Sequence, residues 1–249
     1  MKISIITCVL NNEKHLEDCI KSVLGQSHSD VEHIVVDGGS TDGSLEIIKK
    51  YEKYLDRWIS EPDSGIYDAM NKGIILSTGS IIGLLNSDDL YSSDDVLSKV
   101  SNVFEKEEPD CCYGDIVYMS PDLKRVVRYW QAGVYKNGSF RRGWMPPHPS
   151  LFVNRGIFNR YGMFRTDFEI SADYELMLRF FEKGRVFPAY ISDVLVKMRV
   201  GGRSNSGFVN LIKKSFEDYK AWKVNNLKID PMIVIRKPLS KLHQFYKKQ

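Results

Sequence analysis

Two kinds of hydrophobic pattern alternate along the chain. Short continuous apolar runs read as buried strands, and apolar residues three or four apart read as helices. Lys2–Val9 is a run of the first kind, β-branched and bounded by Asn11-Asn12. From Glu13 the spacing becomes helical: Leu16, Ile20, Val23 and Leu24 share a face that Gly25 closes. Val31–Val36 is a second strand, ending abruptly in Asp37-Gly38-Gly39-Ser40-Thr41-Asp42-Gly43. A helix over Ser44–Tyr54 and a short strand over Arg57–Ser60 follow. Ile66, Ala69, Met70, Gly73 and Ile74 mark a third helix, and Ile81–Leu85 the next strand. Asn86-Ser87-Asp88-Asp89 breaks that strand before a helix carrying Val96, Leu97, Val100, Val103 and Phe104. Strand and helix taking turns, with strands apolar throughout, predict an α/β fold: a mainly parallel central sheet flanked by helices.

From Asp110 the pattern changes. Cys111–Met119 and Lys124–Gln131 read as a hairpin around Ser120-Pro121-Asp122. A loop rich in Gly, Arg and Pro spans Ala132–Pro149. Leu151–Val153 is a brief strand, Asn154–Tyr161 a short helix, and Tyr174–Lys183 a helix whose start is marked by Ser171 and Asp173. Val186–Val200 is mostly extended, residues 201–207 form a Gly/Ser/Asn-rich hinge, and Phe208–Asn225 is helical.

Composition narrows the class. With 249 residues, 43% hydrophobic and 27% charged, the chain has material for a sizeable core, which excludes disordered, collagen-like and disulfide-stapled classes. The N-terminus lacks the basic region and cleavage site of a signal peptide, and no run approaches the ~20 apolar residues of a membrane span. Cys8, Cys19, Cys111 and Cys112 have no CxxC spacing, so neither zinc nor a disulfide framework is indicated and a reducing cytosol is expected. The net charge of +3 hides a division. Residues 1–202 hold 24 Lys and Arg against 29 Asp and Glu, a charge of −5, whereas residues 203–249 hold 11 against 3, a charge of +8.

In sheets of this kind ligands sit at the carboxyl ends of the strands. Asp37 follows the second strand, Asp63 and Asp68 the third, and Asp88 and Asp89 the fourth, so acids converge on one edge. The Asp37–Gly43 loop is not GxGxxG and has no P-loop Lys. Its Asp suits a base N–H or a sugar hydroxyl, or else an Asx turn feeding the next helix. Asp88 and Asp89 are hard oxygen ligands that suit Mg²⁺ or Mn²⁺, the alternative being a turn with an N-cap. Asp173 is either a plain first-turn acid or a general base. His148, between two prolines, contacts substrate or sits in solvent; Arg141 and Arg142 form a solvated face or hold an anionic acceptor.

The stretches SIITCVLNNEKHLEDCIKSVLGQSHSDVEHIVVDGGSTDGS, SEPDSGIYDAMNKGIILSTGSIIGLLNSDDLY, HPSLF and ISADYELMLRF, in this order, closely resemble the family 2 glycosyltransferases. These are inverting, nucleotide-sugar-dependent enzymes of the Rossmann-like GT-A fold, and the second stretch looks most like the branch that builds bacterial surface polysaccharides. The resemblance implies a GT-A domain over 1–202, with a nucleotide-sugar-binding half over 1–109 and an acceptor-binding half over 110–202. Residues 203–249 would be a basic helical C-terminal extension. It implies that Thr7, ending the first strand, lines the nucleotide pocket mostly through backbone, and that Asp37 hydrogen-bonds the base, usually uracil. Asp68 and Asn71 would lie beside ribose and diphosphate. Asn86-Ser87-Asp88 occupies the family's Asp-x-Asp position, with Asp88 as metal ligand, Asp89 orienting it or touching the donor sugar, and Asn86 removing one charge. Asp173 matches the catalytic base, although Ala172 replaces the acid that often precedes it.

The implied partners are a nucleotide-sugar donor, a UDP-sugar by preference, and a glycan or lipid-linked acceptor, near which His148 and Arg141 are placed. The implied location is cytoplasmic. A binding relic that lost turnover with the first acid of the motif is the alternative. A sugar nucleotidyltransferase would need a Gly-rich basic signature that Val9–Asn12 lacks. The tail carries no nucleic-acid module. Its Val234-Ile235, Leu239, Leu242, Phe245 and Tyr246 interleave with Lys and Arg, as a segment lying on an anionic membrane would, or as a basic helix packed on its own domain.

Overall fold

The computed structural model describes residues 1–201 and 208–228. Nine strands among those residues join one sheet. The first half follows the predicted alternation: β1 (Ile3–Val9), α1 (Glu13–Leu24), β2 (Val31–Asp37), α2 (Ser44–Tyr51), β3 (Arg57–Ser60), α3 (Ile66–Leu76), β4 (Ile81–Leu84), β5 (Leu90–Tyr91) and α4 (Val96–Glu107). The second half is β6 (Cys111–Met119), β7 (Val126–Trp130), β8 (Phe152–Asn154), α5 (Arg155–Tyr161), α6 (Ala172–Leu178), β9 (Pro188–Arg199) and α7 (Phe208–Val224). Strand order is β3-β2-β1-β4-β8-β6-β9-β5, with β7 paired to β6.

β1, β2, β3 and β4 pair in parallel. Every residue of β1 is buried, which is why its sequence is apolar throughout rather than alternating. α3 lies close on this part of the sheet because of Gly73. A Cβ there would stand 2.2 Å from Ile6 Cγ2, so no side chain fits between helix and strand. Beyond β4 the sheet is mixed: β8 is antiparallel to β4 and β6, β9 is parallel to β6, and β5 is antiparallel to β9.

Several elements differ from the sequence reading for local reasons. The expected helix over Ser44–Tyr54 is α2 plus a separate 3₁₀ turn at Glu52–Tyr54. The two-residue strand β5, too short to carry a pattern, was not expected. The helix expected over Tyr174–Lys183 starts at Ala172 and widens into a π turn over Arg179–Lys183.

α7, which the sequence assigns to an extension beyond residue 202, contributes Ala221 and Trp222 to the principal core. Both are at most 1% exposed. The hinge segment 202–207 and the basic segment 229–249 lie outside the described residues.

His33 of β2 links the fold to acid stability. It is 2% exposed, its Nε2 lies 3.1 Å from Thr7 Oγ1, and its Nδ1 has no partner. Burial pushes its pKa down to about 3. Between that value and the ordinary 6.5 the unfolded chain binds a proton that the folded chain does not, so stability falls as pH drops through this window. Melting temperature is expected to decline from pH 6.5 to pH 5 with a shallower slope in His33→Gln; equal slopes in the two proteins would contradict this assignment.

Candidate functional site

The register of the parallel strands sets the height of the site. Val9 lies opposite Asp37, Asp37 opposite Ser60, and Ile6 opposite Leu84, so the loops after β1, β2, β3 and β4 leave the sheet at one edge. There they enclose a cleft of about 670 Å³. Two adjacent asparagines stitch the loops together. Asn11, at φ 53°, accepts from Thr41 N at 2.7 Å on Oδ1, and its own N–H donates to Ser40 Oγ at 2.8 Å. Asn is among the few residues that adopt this left-handed conformation readily. Asn12 donates from its N–H to Ser44 Oγ at 3.0 Å and from Nδ2 to Ser87 Oγ at 2.8 Å. One dipeptide thus holds the β2 loop and the β4 turn, and both its residues line the cleft.

Asn86 and Asp88 face the cleft from the turn after β4. Asp89 points inward: it is 1% exposed, Oδ2 accepts from Asn86 Nδ2 at 3.2 Å, and Oδ1 has no partner. Burial, reinforced by the charge of Asp88, raises its carboxyl well above the usual range. From β9 the buried Arg199 donates from Nη1 to the Asp88 carbonyl at 2.9 Å and from Nη2 to Asp18 Oδ2 at 2.7 Å. Arg199 also lines the cleft, as do His15 and Lys213. His15 is pushed below its ordinary value by burial and by the Arg199 and Lys14 charges, with Asp88 opposing.

Asp173 stands half-buried in the first turn of α6. Its surroundings reach the cleft through two tyrosines that line it, Tyr67 and Tyr118. Tyr67 donates to the Ile170 carbonyl at 2.7 Å, and burial, then the Asp173 charge, raises its phenol. Tyr118 is raised by burial and by both Asp89 and Asp173, with Arg128 over its ring opposing at 4.8 Å. His148 is half-buried, its ring edge-on to Phe164 at 6.0 Å. Burial lowers it and Asp173 opposes.

Of the remaining expected residues, Thr7 and Asp37 turn into the fold, Asp68 and Asn71 are half-buried, and Arg141 is exposed. β1 continues to Val9, so Thr7 does not end the strand; its fully buried hydroxyl faces His33 and Cys19. Cys8, Val9 and Leu10 line the cleft in its place. The Asp37 carboxylate is 0% exposed and accepts from Gly39 N, Ser40 N and Ser60 Oγ, the last at 2.7 Å. Asp68 accepts from Ser64 N at 3.1 Å ahead of α3. Asn71 makes a two-way bond with the Phe164 backbone, both arms 2.9 Å. Arg141 is exposed on a 3₁₀ turn, outside the cleft lining.

Arg199, Asn12, Tyr118 and Lys213 escaped the sequence reading. A lone Arg closing an extended apolar segment before Gly201-Gly202 was the one available signal for the first.

Among the described residues no group of three or more His, Cys, Asp or Glu is placed to cage a metal ion. The cleft-facing carboxylate of Asp88 nevertheless suits a hard cation of the Mg²⁺ type, which commonly takes one or two carboxylates and completes its shell with substrate phosphates and water.

The fold is shared with GT-A glycosyltransferases of known structure. Staphylococcus aureus TarS (residues 1–349, in complex with UDP-GlcNAc) matches with a TM-score of 0.70 at 16% identity, covering 96% of this chain and 72% of that one. The mannosyltransferase PcManGT from Pyrobaculum calidifontis, in complex with GDP-Man and Mn²⁺, matches at 0.69 and 19%, covering 95% and 68%. These likenesses establish the fold. The model of glycosyl transferase family 2 matches residues 4–172, and the chain belongs to that family. A PGL/p-HBAD biosynthesis glycosyltransferase of Mycobacterium bovis is 32% identical over 208 residues, 82% of this chain and 79% of the relative. An uncharacterized glycosyltransferase of Mycobacterium tuberculosis is 32% identical over 186 residues, 71% and 68%.

Arg199, itself buried, joins β9 to the acidic turn through the part-buried Asp88 carbonyl, whereas Asp18 at its other end is half-exposed. Arg199→Lys, with one ammonium for two acceptors, is expected to cost about 1–3 kcal/mol by orphaning the Asp88 carbonyl. Asp18→Asn should cost under about 1 kcal/mol, as exposed pairs do. Denaturant melts of both variants test the order.

Proposed function

We propose that this glycosyltransferase moves a hexosyl or N-acetylhexosaminyl group from a nucleotide-diphosphate sugar, a UDP-sugar, to a hydroxyl of a glycan or lipid-linked acceptor. The product belongs to bacterial surface polysaccharide or glycolipid synthesis, and the reaction inverts the anomeric carbon. The observation that carries the reading is the cleft at the carboxyl ends of the parallel strands, lined by Asn86 and Asp88 from the turn after β4 and by Tyr67, whose hydroxyl donates to the Ile170 carbonyl three residues before Asp173. The relative that binds UDP-GlcNAc and the mycobacterial relative named for PGL/p-HBAD biosynthesis support the donor and acceptor classes.

In this mechanism Asp173, as carboxylate, accepts the proton of the acceptor hydroxyl while that oxygen attacks the anomeric carbon. The bond to the nucleoside diphosphate breaks on the opposite face, and no enzyme nucleophile intervenes. Thr7, Asp37, Asp68, Asn71, Asn86 and Asp89 hold the nucleotide-sugar side directly or by shaping its loops. Arg199 and Lys213 bring positive charge to a cleft that must take a diphosphate. His148 and Arg141 stand on the acceptor side. Asp88 is the residue that would hold Mg²⁺ or Mn²⁺, which when bound neutralises charge on the leaving diphosphate. The Mn²⁺ in the mannosyltransferase neighbour supports a divalent ion here.

A panel of UDP-, GDP- and dTDP-sugars tests the reading, with turnover followed beside calorimetry. Asp173→Asn is expected to keep donor affinity within about twofold and to lose transfer by ~10²–10⁴-fold, the range for removing a general base. Donor binding without hydrolysis or transfer by the native protein would instead identify a binding relic.

The same reading places the enzyme in the cytoplasm, peripheral on the inner face of the membrane. No helix of the described residues is long and apolar enough to cross a bilayer. On α7, however, Ile212, Phe216 and Tyr219 recur at helical spacing and are exposed, Phe216 by 69%. Lys214 and Lys223 belong to the same helix, and each basic residue near an anionic surface contributes ~1 kcal/mol. The full chain is expected to co-sediment with vesicles containing anionic lipid but not with neutral ones, and Ile212→Ser/Phe216→Ser to lose most of that binding. Equal recovery on both vesicle types would remove the membrane from the proposal.

A further inference from the structure

Asp173 sits at the head of a seven-residue helix, preceded by a segment with no regular structure between Gly162 and Ser171. Something must hold that segment if the carboxylate is to meet a substrate in one place. The donor half contributes two contacts: Asn71 pins Phe164 through its backbone, and Tyr67 takes the Ile170 carbonyl. The other side is held by Glu217 of α7. Its Oε1 accepts from Glu169 N at 2.9 Å, and its Oε2 accepts from Ile170 N at 2.9 Å and from Ser171 N at 2.8 Å. Three successive amides thus converge on one carboxylate that is 6% exposed.

We propose that Glu217 is a positioning residue for Asp173, and that α7 is part of the catalytic apparatus rather than an appendage to it. This rests on the reading of Asp173 as the base. The grip brackets that residue. Before it, Glu217 holds residues 169–171 and Lys220 donates to the Asp167 carbonyl at 2.7 Å. After it, Trp222 Nε1 donates to Tyr174 Oη and Asn225 Nδ2 to Glu175 Oε1, both at 2.9 Å.

Ile170 is fixed at both its amide and its carbonyl, from opposite halves of the molecule. Its carbonyl partner Tyr67 lines the cleft. A carboxylate is the group that serves here: with two oxygens and no proton it accepts all three N–H bonds, each strengthened by the charge. Gln at this position keeps one accepting oxygen and turns an NH₂ toward amides that are themselves donors. Glu217 lies beyond residue 172, where the family match stops, so this hold is a property of the present chain's C-terminal part.

The test compares Glu217→Gln with Ile48→Ala, which opens a cavity under α2 in the buried cluster with Leu16 and Val35 and touches neither α6 nor the 169–171 amides. The rate is read with the best donor of the UDP-, GDP- and dTDP-sugar panel, water serving as acceptor where no sugar acceptor is found. Glu217→Gln is expected to lower kcat by ~10–100-fold with donor KM within about twofold, the scale of a displacement on the order of 1 Å at a catalytic group. Amide exchange at residues 169–171 should rise in that variant while β1 and β4 stay protected. Ile48→Ala should lower the melting temperature and leave kcat within about twofold.

The positioning role is overturned if Glu217→Gln keeps native kcat, or if both variants lose kcat in step with their melting temperatures. Asp173→Asn separates this from the underlying reading. If it retains turnover, the base assignment and the inference fall together; if it abolishes turnover while Glu217→Gln does not, only the inference falls.

Discussion

The parallel register of β1 with β2 and β4 is the constraint on which the site depends. Parallel strands release the chain on the same side, so three loops that are far apart in sequence leave the sheet at one level. Such loops carry unpaired backbone groups and must find partners. At Asn11 and Asn12 they do: Asn11 Oδ1 accepts from Thr41 N, the two asparagine N–H groups donate to Ser40 and Ser44 Oγ, and Asn12 Nδ2 donates to Ser87 Oγ. The β1–β4 side of the cleft is therefore built by backbone pairing first and trimmed by short polar side chains afterwards.

The second half of the chain is held by other means. Its strands are short or mixed in direction, and the segment before α6 has no ladder to rest in. Individual side chains bind its backbone from distant elements: Asn71 at Phe164, Tyr67 at Ile170, Glu217 at residues 169–171. Arg199 does the same for the acidic turn from β9. A single substitution can loosen such a hold without disturbing the core, which separates effects on rate from effects on folding.

This difference also explains what could be read from the sequence. β1, β2 and β4 were legible because burial on both faces forces uninterrupted apolar runs, and the acids after them were legible because strand ends are where ligands go. β5 was not, since two residues carry no period. Thr7 was placed at the strand end by the family resemblance, whereas the apolar run itself, Lys2–Val9, ends where pairing ends β1. Glu217 is one of the few acids in a basic segment, and nothing local to it announces a partner 46 to 48 residues earlier. Contacts of that separation are set by tertiary packing. The same holds for Ala221 and Trp222, whose small-large pair is buried only because α6 is there to receive it.

The place of α7 in the core has a consequence for how the protein is made. Chains emerge N-terminus first, and domains tend to fold as their residues become available. β1 to β4 and their loops can settle while α7 is still being synthesised. α6 cannot, because Trp222 and Glu217 come later than everything they hold. The β1–β4 side of the cleft is thus shaped before the segment carrying Asp173 is locked, and the last helix among the described residues closes the fold.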